Sequence, residues 1–189
     1  MAVVKNNLVV DGLSGKLGKN IVFRQRNGKT IVSTSPVFSN TKTEKQENHR
    51  KRFTKAVRYA QVQMADPVFG EKYRLAAKAR GLMTPNNLAI QDYLRPPVIE
   101  NLEVKGYHGE IGDEIIVEAF DDLEVEKVAV EIYHGDGSLV EKGLACKNGN
   151  EFEWHYASTV ANSEFSGDRI LVKAFDHPGN ETYMEIVLS

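Results

Sequence analysis

The chain has 189 residues, 41% of them hydrophobic and 26% charged, an ordinary composition for one large or two small globular domains. Its apolar runs are far shorter than the roughly 20 residues that span a bilayer, and its single cysteine excludes an internal disulfide. The net charge of −2 hides two opposite segments. Residues 1–97 hold 18 Lys and Arg against 6 Asp and Glu, giving +12, and residues 98–189 hold 6 against 20, giving −14. This asymmetry predicts a basic surface that meets an anionic partner.

A β-hairpin is predicted over residues 21–34, after a glycine-rich loop over residues 12–18. Asn27-Gly28 separates two β-prone runs, and this pair suits a two-residue turn that needs positive φ twice. The turn sets Arg26 opposite Lys29, and Arg24 opposite Ile31. Hydrophobic side chains fall on the other face, namely Ile21, Phe23 and Val32.

A helix is predicted over residues 43–64, because apolar residues recur at helical spacing before Asp66-Pro67. We expect these residues to form a buried stripe: Phe53, Ala56, Val57, Ala60 and Met64. Shorter helices are predicted over residues 71–80 and 86–94. The second of them has Thr84 as N-cap and Pro85 at its first position.

The chain is predicted to divide near residue 97. Pro96 and Pro97 cannot continue the last helix, and the charge changes sign at the same point. We therefore expect an α+β protein of two modules. A basic hairpin-and-helix module covers residues 1–97, and an acidic all-β module covers residues 98–189.

Period-two alternation dominates the acidic segment and predicts about seven short strands. The alternating runs lie at residues 99–104, 115–120, 128–133, 138–145, 152–156, 170–174 and 182–188. Turn signals separate several of them, such as Asp136-Gly137 and Pro178-Gly179-Asn180. This number and spacing of strands favours an antiparallel sandwich.

Several motifs of residues 97–189 resemble bacterial immunoglobulin-like or fibronectin-type-III-like modules. They are Pro97-Val98-Ile99, the run from Gly112 to Asp121, Asp136-Gly137-Ser138, and the run from Val172 to Asp176 with Gly179-Asn180. The cysteine pair of antibody domains is absent, so the resemblance is to the disulfide-free kind. It implies a spacer or binding surface within an assembly, including phage-type or secretion-type particles, rather than chemistry.

The candidate binding residues are cations in two groups. Arg24, Arg26 and Lys29 crowd the hairpin tip, where like charges opposite each other are destabilising. On the first helix, Lys51, Lys55 and Arg58 follow at i, i+4 and i+7, and His49, Arg50 and Arg52 extend the patch. Three environments remain open for these cations: a protein surface, a nucleic acid, or solvent alone. The protein surface would be the acidic segment of the same chain or of a neighbouring copy.

No cofactor, zinc site or catalytic group is predicted, because the histidines lie singly and Cys146 has no partner in the sequence. Weak calcium candidates lie in turns at strand ends: Asp121, Asp122, Asp176 and Asn180. Trp154, with Phe152 and Tyr156, is interpreted as sandwich core, with a carbohydrate platform as the alternative.

The sequence thus predicts a non-enzymatic structural or adaptor protein that makes protein-protein contacts in an assembly. One mechanism is head-to-tail association, in which the basic segment of one copy contacts the acidic segment of the next. The alternatives are a nucleic-acid-binding protein that clamps phosphates with residues 1–97, and a calcium- or carbohydrate-binding sandwich. The start of the chain has no basic segment followed by an apolar one, so we expect cytoplasmic synthesis, no membrane association and incorporation into an oligomer or particle.

Overall fold

The computed structural model describes residues 2–3, 9–26, 28–36, 43–81, 83–149 and 151–189. The chain forms two compact units, Met1–Glu47 and Asn48–Ser189. Helices and antiparallel sheets both occur, which confirms the predicted α+β class. The predicted junction near residue 97 falls inside the second unit, between its helices and its sheet, and a division at that point stays a prediction.

The first unit contains a four-stranded sheet with the order β1-β4-β3-β2. Its strands are Ala2–Val3 (β1), Gly15–Leu17 (β2), Ile21–Arg26 (β3) and Lys29–Thr34 (β4). The predicted hairpin register is confirmed, with Arg26 opposite Lys29 and Arg24 opposite Ile31. Asn27 lies outside the described residues, and Gly28 has the positive φ of 69° that the turn requires.

The prediction of an uninterrupted loop over residues 12–18 is wrong at β2. This short edge strand pairs through its backbone with β3, Lys16 lying opposite Val22. Three glycines with positive φ make this segment resemble a loop in the sequence. Gly12 lies before the strand, Gly15 begins it and Gly18 follows it. The loop before β2 is fastened to the Phe23 side of the sheet. There the Gly12 amide donates to the buried Thr30 hydroxyl at 3.0 Å.

Three helices follow, Glu44–Ala65 (α1), Pro67–Arg80 (α2) and Pro85–Leu94 (α3). The helix α3 begins as predicted, with the Thr84 hydroxyl accepting from the Asn87 amide. The helix α2 begins four residues earlier than predicted, because Asp66 caps it and Pro67 occupies its first turn. Gly70 lies inside this early part of α2. A Cβ there would come within 3.1 Å of the Met64 carbonyl oxygen, so close packing favours glycine at this position.

The buried stripe of α1 is only partly as predicted. Ala56 and Ala60 are fully buried, and Val57 and Met64 are half-buried. Phe53, in contrast, is 45% exposed, so its predicted burial is wrong. It lies in residues 48–55 of α1, whose side chains are all exposed, and the apolar cluster of the helices includes α1 only from Tyr59 onward.

Seven antiparallel strands form the large sheet of the second unit, as the alternation predicted. They are Val98–Glu103 (β5), Glu114–Phe120 (β6), Val125–Tyr133 (β7), Leu139–Lys147 (β8), Glu153–Ala157 (β9), Arg169–Asp176 (β10) and Glu181–Val187 (β11). The order is β11-β10-β7-β8-β9-β6-β5, and the two edge strands approach each other, so the sheet nearly closes. Its inward side chains form the core around Ile115, Val130, Trp154 and Val172. No described helix is both long and apolar enough to cross a membrane.

Candidate functional site

The predicted cations of the hairpin lie on one face of the small sheet. Because side chains alternate along a strand, Arg24 and Arg26 of β3 share a face with Lys29 of β4. Lys16 of β2 lies on the same face, because it pairs with Val22, which is two residues from Arg24 on β3. Lys16 and Arg24 are therefore diagonal neighbours. We call this surface the basic sheet face; it comprises Lys16, Arg24, Arg26 and Lys29, all exposed, around the half-buried Val22 and Ile31.

Sequence reasoning missed Lys16, because the segment that holds it was interpreted as a loop. The signal that could have found it is the Lys16-Leu17 alternation before the hairpin. No carboxylate of the described residues lies within ion-pairing distance of these four cations. Within the described residues, no ion pair offsets the charge of this face.

A second group of cations follows α1. Lys51, Lys55 and Arg58 are exposed at i, i+4 and i+7, and we call them the basic helix row. Neither they nor Arg50 form an ion pair with any described carboxylate. Arg52 differs, because its guanidinium donates to the Leu94 carbonyl oxygen at 2.7 Å and closes the C-terminal end of α3. It therefore has a role within the fold.

Some cations of α2 meet acidic residues of the β6–β7 loop. Lys72 of α2 pairs with Glu124. The Arg80 guanidinium donates to the side-chain carboxylate of Asp122 at 3.1 Å and to the main-chain carbonyl oxygen of Asp122 at 2.6 Å. Gln91 of α3 donates to the same Asp122 carboxylate at 2.8 Å. The loop between β6 and β7 therefore neutralises part of the basic segment within the second unit, but not the basic helix row.

The four calcium candidates lie where this loop and the β10–β11 turn meet α3, but a buried carboxyl dominates their surroundings. Asp92 of α3 is fully buried, accepts a 2.5 Å hydrogen bond from the Tyr73 phenol and faces Asp121 and Asp176. Asn180 presents its amide nitrogen, which donates to the Asp176 carboxylate at 2.7 Å. Among the described residues, no group of three or more His, Cys, Asp or Glu side chains is arranged to hold a metal ion.

Burial and mutual repulsion raise the pKa values of these carboxyls. Loss of hydration raises the pKa of Asp92 to about 8 and that of Asp121 to about 6, and burial also raises the pKa of Asp176. The Tyr73 phenol, buried against Asp92, has a raised pKa as well and stays protonated. The arrangement can hold a proton in the contact between helices and sheet.

The other predicted candidates occupy ordinary positions in the fold. Trp154 and Tyr156 are buried in the core, whereas Phe152 is 46% exposed and packs on Phe120, so the three aromatic rings form no common platform. Cys146 is exposed on β8 and lies opposite His155 of β9 in the register. His155 instead contacts Glu153, with 2.6 Å between its Nε2 and the carboxylate.

Comparisons with known proteins add little to this geometry. No protein-family model matches the chain, and no curated protein matches it. Among solved structures, a crystal structure of an engineered protein matches 50% of this chain at 15% sequence identity, with a TM-score of 0.35. The match covers 19% of that protein, so the chain spans about a fifth of its length.

Proposed function

We propose that the protein is a non-enzymatic structural or adaptor subunit whose basic surfaces bind acidic surfaces of neighbouring protein copies. The observation that carries the proposal is the basic sheet face, where Lys16, Arg24, Arg26 and Lys29 are exposed with no described carboxylate as partner. Like charges packed across strands are destabilising. An anionic partner that covers the face removes this repulsion, and the acidic segment of 98–189 supplies such a partner in every copy.

The proposal includes an immunoglobulin-like sandwich in the second unit. If β5 to β11 take the letters A to G, the sheet order is A-B-E-D-C-F-G, and a constant-type immunoglobulin domain divides these strands into A-B-E-D and C-F-G. Strand β8 departs from that division, because it pairs with β7 over most of its length and with β9 only at Cys146 and Lys147. The two layers of the proposed sandwich are therefore β5, β6 and β9 on one side, and β8, β7, β10 and β11 on the other. Such sandwiches commonly serve as spacers and binding modules, which agrees with an adaptor role.

Nucleic acid is the second candidate partner, and one observation on α1 favours it. Phe53 is 45% exposed and follows Arg50 by one helical turn, so an aromatic ring and a phosphate-binding group share one surface. Tyr59, another aromatic residue of α1, is engaged within the fold and is not available to stack on a base. Its hydroxyl contacts that of Tyr73 at 3.1 Å, and its ring packs on Tyr93.

The test is light scattering on the full chain at about 0.1 M and about 1 M NaCl, since the Debye length falls from about 10 Å to about 3 Å over this range. We expect a concentration-dependent oligomer at low salt that dissociates at high salt. A monomer under both conditions would contradict the proposal. A monomer that binds a random-sequence DNA duplex, with affinity that falls steeply with salt, would establish the second candidate instead.

A further inference from the structure

One outer face of the large sheet is acidic and, like the basic sheet face, spans three antiparallel strands. Outward side chains of β5, β6 and β9 share it, because Glu103 lies opposite Ile116, and Ile116 lies opposite His155. In the next row Glu118 lies opposite Glu153. We call this surface the acidic sheet face; it comprises Glu103, Glu114, Glu118 and Glu153 around Ile116 and His155.

The carboxylates of this face have no Lys or Arg partner among the described residues. The single cationic candidate is His155, which lies 2.6 Å from Glu153 and 3.8 Å from Glu114. Glu118 and Glu153 are direct cross-strand neighbours of like charge, an arrangement that costs stability when nothing covers it.

The other outer face of the same sheet shows that this lack of partners is local. There Lys173 pairs with Glu131 at 3.0 Å, and Arg169 pairs with Glu185 at 3.4 Å. Arg169 also lies over the Tyr133 ring, 5.0 Å from its centroid. Among the described residues, strands β7, β10 and β11 thus form outward ion pairs with Lys or Arg, and the carboxylates of β5, β6 and β9 form none.

The basic sheet face and the acidic sheet face are complementary in charge and similar in width. Each spans three antiparallel strands, about 10 Å across at a strand spacing of about 4.8 Å. One presents four cations around Val22 and Ile31, and the other presents four carboxylates around Ile116. Side chains on both faces repeat with the same strand period, so rows of cations can oppose rows of carboxylates.

We propose that the acidic sheet face is the docking surface for the basic sheet face of a second copy of this chain. The inference rests on the proposed function and specifies which two surfaces meet. Because the two faces are different surfaces of one chain, the contact is heterologous, and each copy can use both faces at once. Faces of this size give weak individual contacts, so we expect a salt-sensitive ring or filament rather than a permanent dimer.

Charge reversal in the full chain tests the pairing. The first variant carries Arg24→Glu and Arg26→Glu, and the second carries Glu114→Lys and Glu118→Lys. Each variant alone should remain monomeric, with a dissociation constant raised about a hundredfold or more, because like charges then face each other. Mixed together, the two variants should assemble again, since each reversed face now meets a reversed partner and each native face meets a native one. Recovery on mixing also shows that both variants are folded.

A matched control reverses two exposed carboxylates of the second unit outside this face, Glu164→Lys with Glu181→Lys, and should assemble like the natural sequence. A further variant, Lys51→Glu with Lys55→Glu, tests the basic helix row. The inference is overturned if the natural chain assembles while the two face variants behave like the control. It is also overturned if the basic helix variant alone abolishes assembly, or if the mixture fails although melting curves show both face variants folded. A natural chain that is monomeric at low salt would instead remove the proposed function itself.

Discussion

The phenol of Tyr73 donates a 2.5 Å hydrogen bond to Oδ2 of Asp92, a carboxyl that solvent does not reach. The second oxygen of Asp92, Oδ1, has no donor among the described residues, and neither has Oδ2 of the neighbouring Asp121. Both atoms are acceptors when ionised, so one shared proton is what satisfies them together. In this state the protonated Asp92 donates to the Asp121 carboxylate, which agrees with the higher pKa of Asp92.

This shared proton makes stability depend on pH. An unfolded Asp has a pKa of about 3.9, whereas burial raises the pKa of Asp92 to about 8 in the folded protein. Between these values the folded state binds more protons than the unfolded state, so the free energy of unfolding falls as pH rises. The slope is up to about 1.4 kcal/mol per pH unit for one proton.

Asp92→Asn should remove most of this dependence, because the amide keeps an acceptor for Tyr73 and offers Asp121 a donor that does not titrate. We expect the variant to melt above the natural protein at about pH 8, because by then the natural protein has lost most of the stability that the bound proton contributes at lower pH. Thermal melts between about pH 5 and about pH 8 measure how the melting temperature of each protein depends on pH. The control is Glu100→Gln, which changes an exposed carboxylate. Parallel curves for the natural protein and Asp92→Asn would contradict the shared proton.

Tyr73→Phe should destabilise the second unit by about 1–3 kcal/mol, because it leaves the buried Asp92 without a donor while the ring still fills its site. The Tyr73 hydrogen bond lowers the pKa of Asp92, so its loss should raise that pKa. The pH range over which stability falls should then extend to higher pH. Denaturant unfolding at two pH values measures both effects. The control is Tyr183→Phe, whose side chain is 71% exposed and where we expect a change within about 0.5 kcal/mol.

Alanine substitutions at two glycines distinguish the free-energy cost of positive φ from the cost of steric crowding. Gly109 and Gly112 have φ of 83° and 93°, but a Cβ at Gly109 would lie 2.0 Å from the Asn162 carbonyl oxygen, whereas one at Gly112 meets nothing within 4 Å. Gly112→Ala should cost about 1–2 kcal/mol. Gly109→Ala should cost about 1–3 kcal/mol more, because the backbone must shift. If denaturant unfolding showed equal losses of stability for the two variants, the backbone around Gly109 would be able to shift at no cost, and the crowding argument would be wrong.

Asn180→Ala should loosen the contact between α3 and the sheet. The Asn180 amide nitrogen lies 3.3 Å from the carbonyl oxygens of Tyr93 and Arg95 and donates to Asp176, so its removal leaves orphaned acceptors at the end of α3. We expect a loss of about 1–3 kcal/mol. Faster hydrogen exchange confined to α3 would locate the effect there, and unchanged exchange would argue against this role.

Features that depend on local chemistry could be predicted from the sequence. Asn27-Gly28 fixes the hairpin register, Thr84-Pro85 starts α3, and alternation reveals all seven strands of the large sheet. The start of α2 was misplaced because Gly70 normally weakens a helix, and only the packing on Met64 explains its presence.

Features that depend on distant contacts could not be predicted. Asp92 resembles an ordinary exposed carboxylate of a short helix, and nothing near it in the sequence indicates that Tyr73, Asp121 and Asp176 surround it. Asp121 and Asp176 lie at strand ends, and nothing near them in the sequence indicates that burial raises the pKa of both carboxyls. The acidic sheet face was visible as the alternation of Glu114, Ile116 and Glu118, yet its lack of cationic partners appears only once the strands are paired.

The position of Asn180 and Asp176 in the last turn of the sheet has a consequence for synthesis on the ribosome. The helices emerge first, and the residues that complete their polar contact follow about eighty positions later, seconds afterwards at about 5–20 residues per second. Asp121 follows Asp92 by 29 positions, but until the β10–β11 hairpin emerges Asp176 and Asn180 are missing from the contact. The nascent second unit therefore reaches its native hydrogen bonding only when the β10–β11 hairpin forms, and chains interrupted before this hairpin should present their helices to chaperones and proteases.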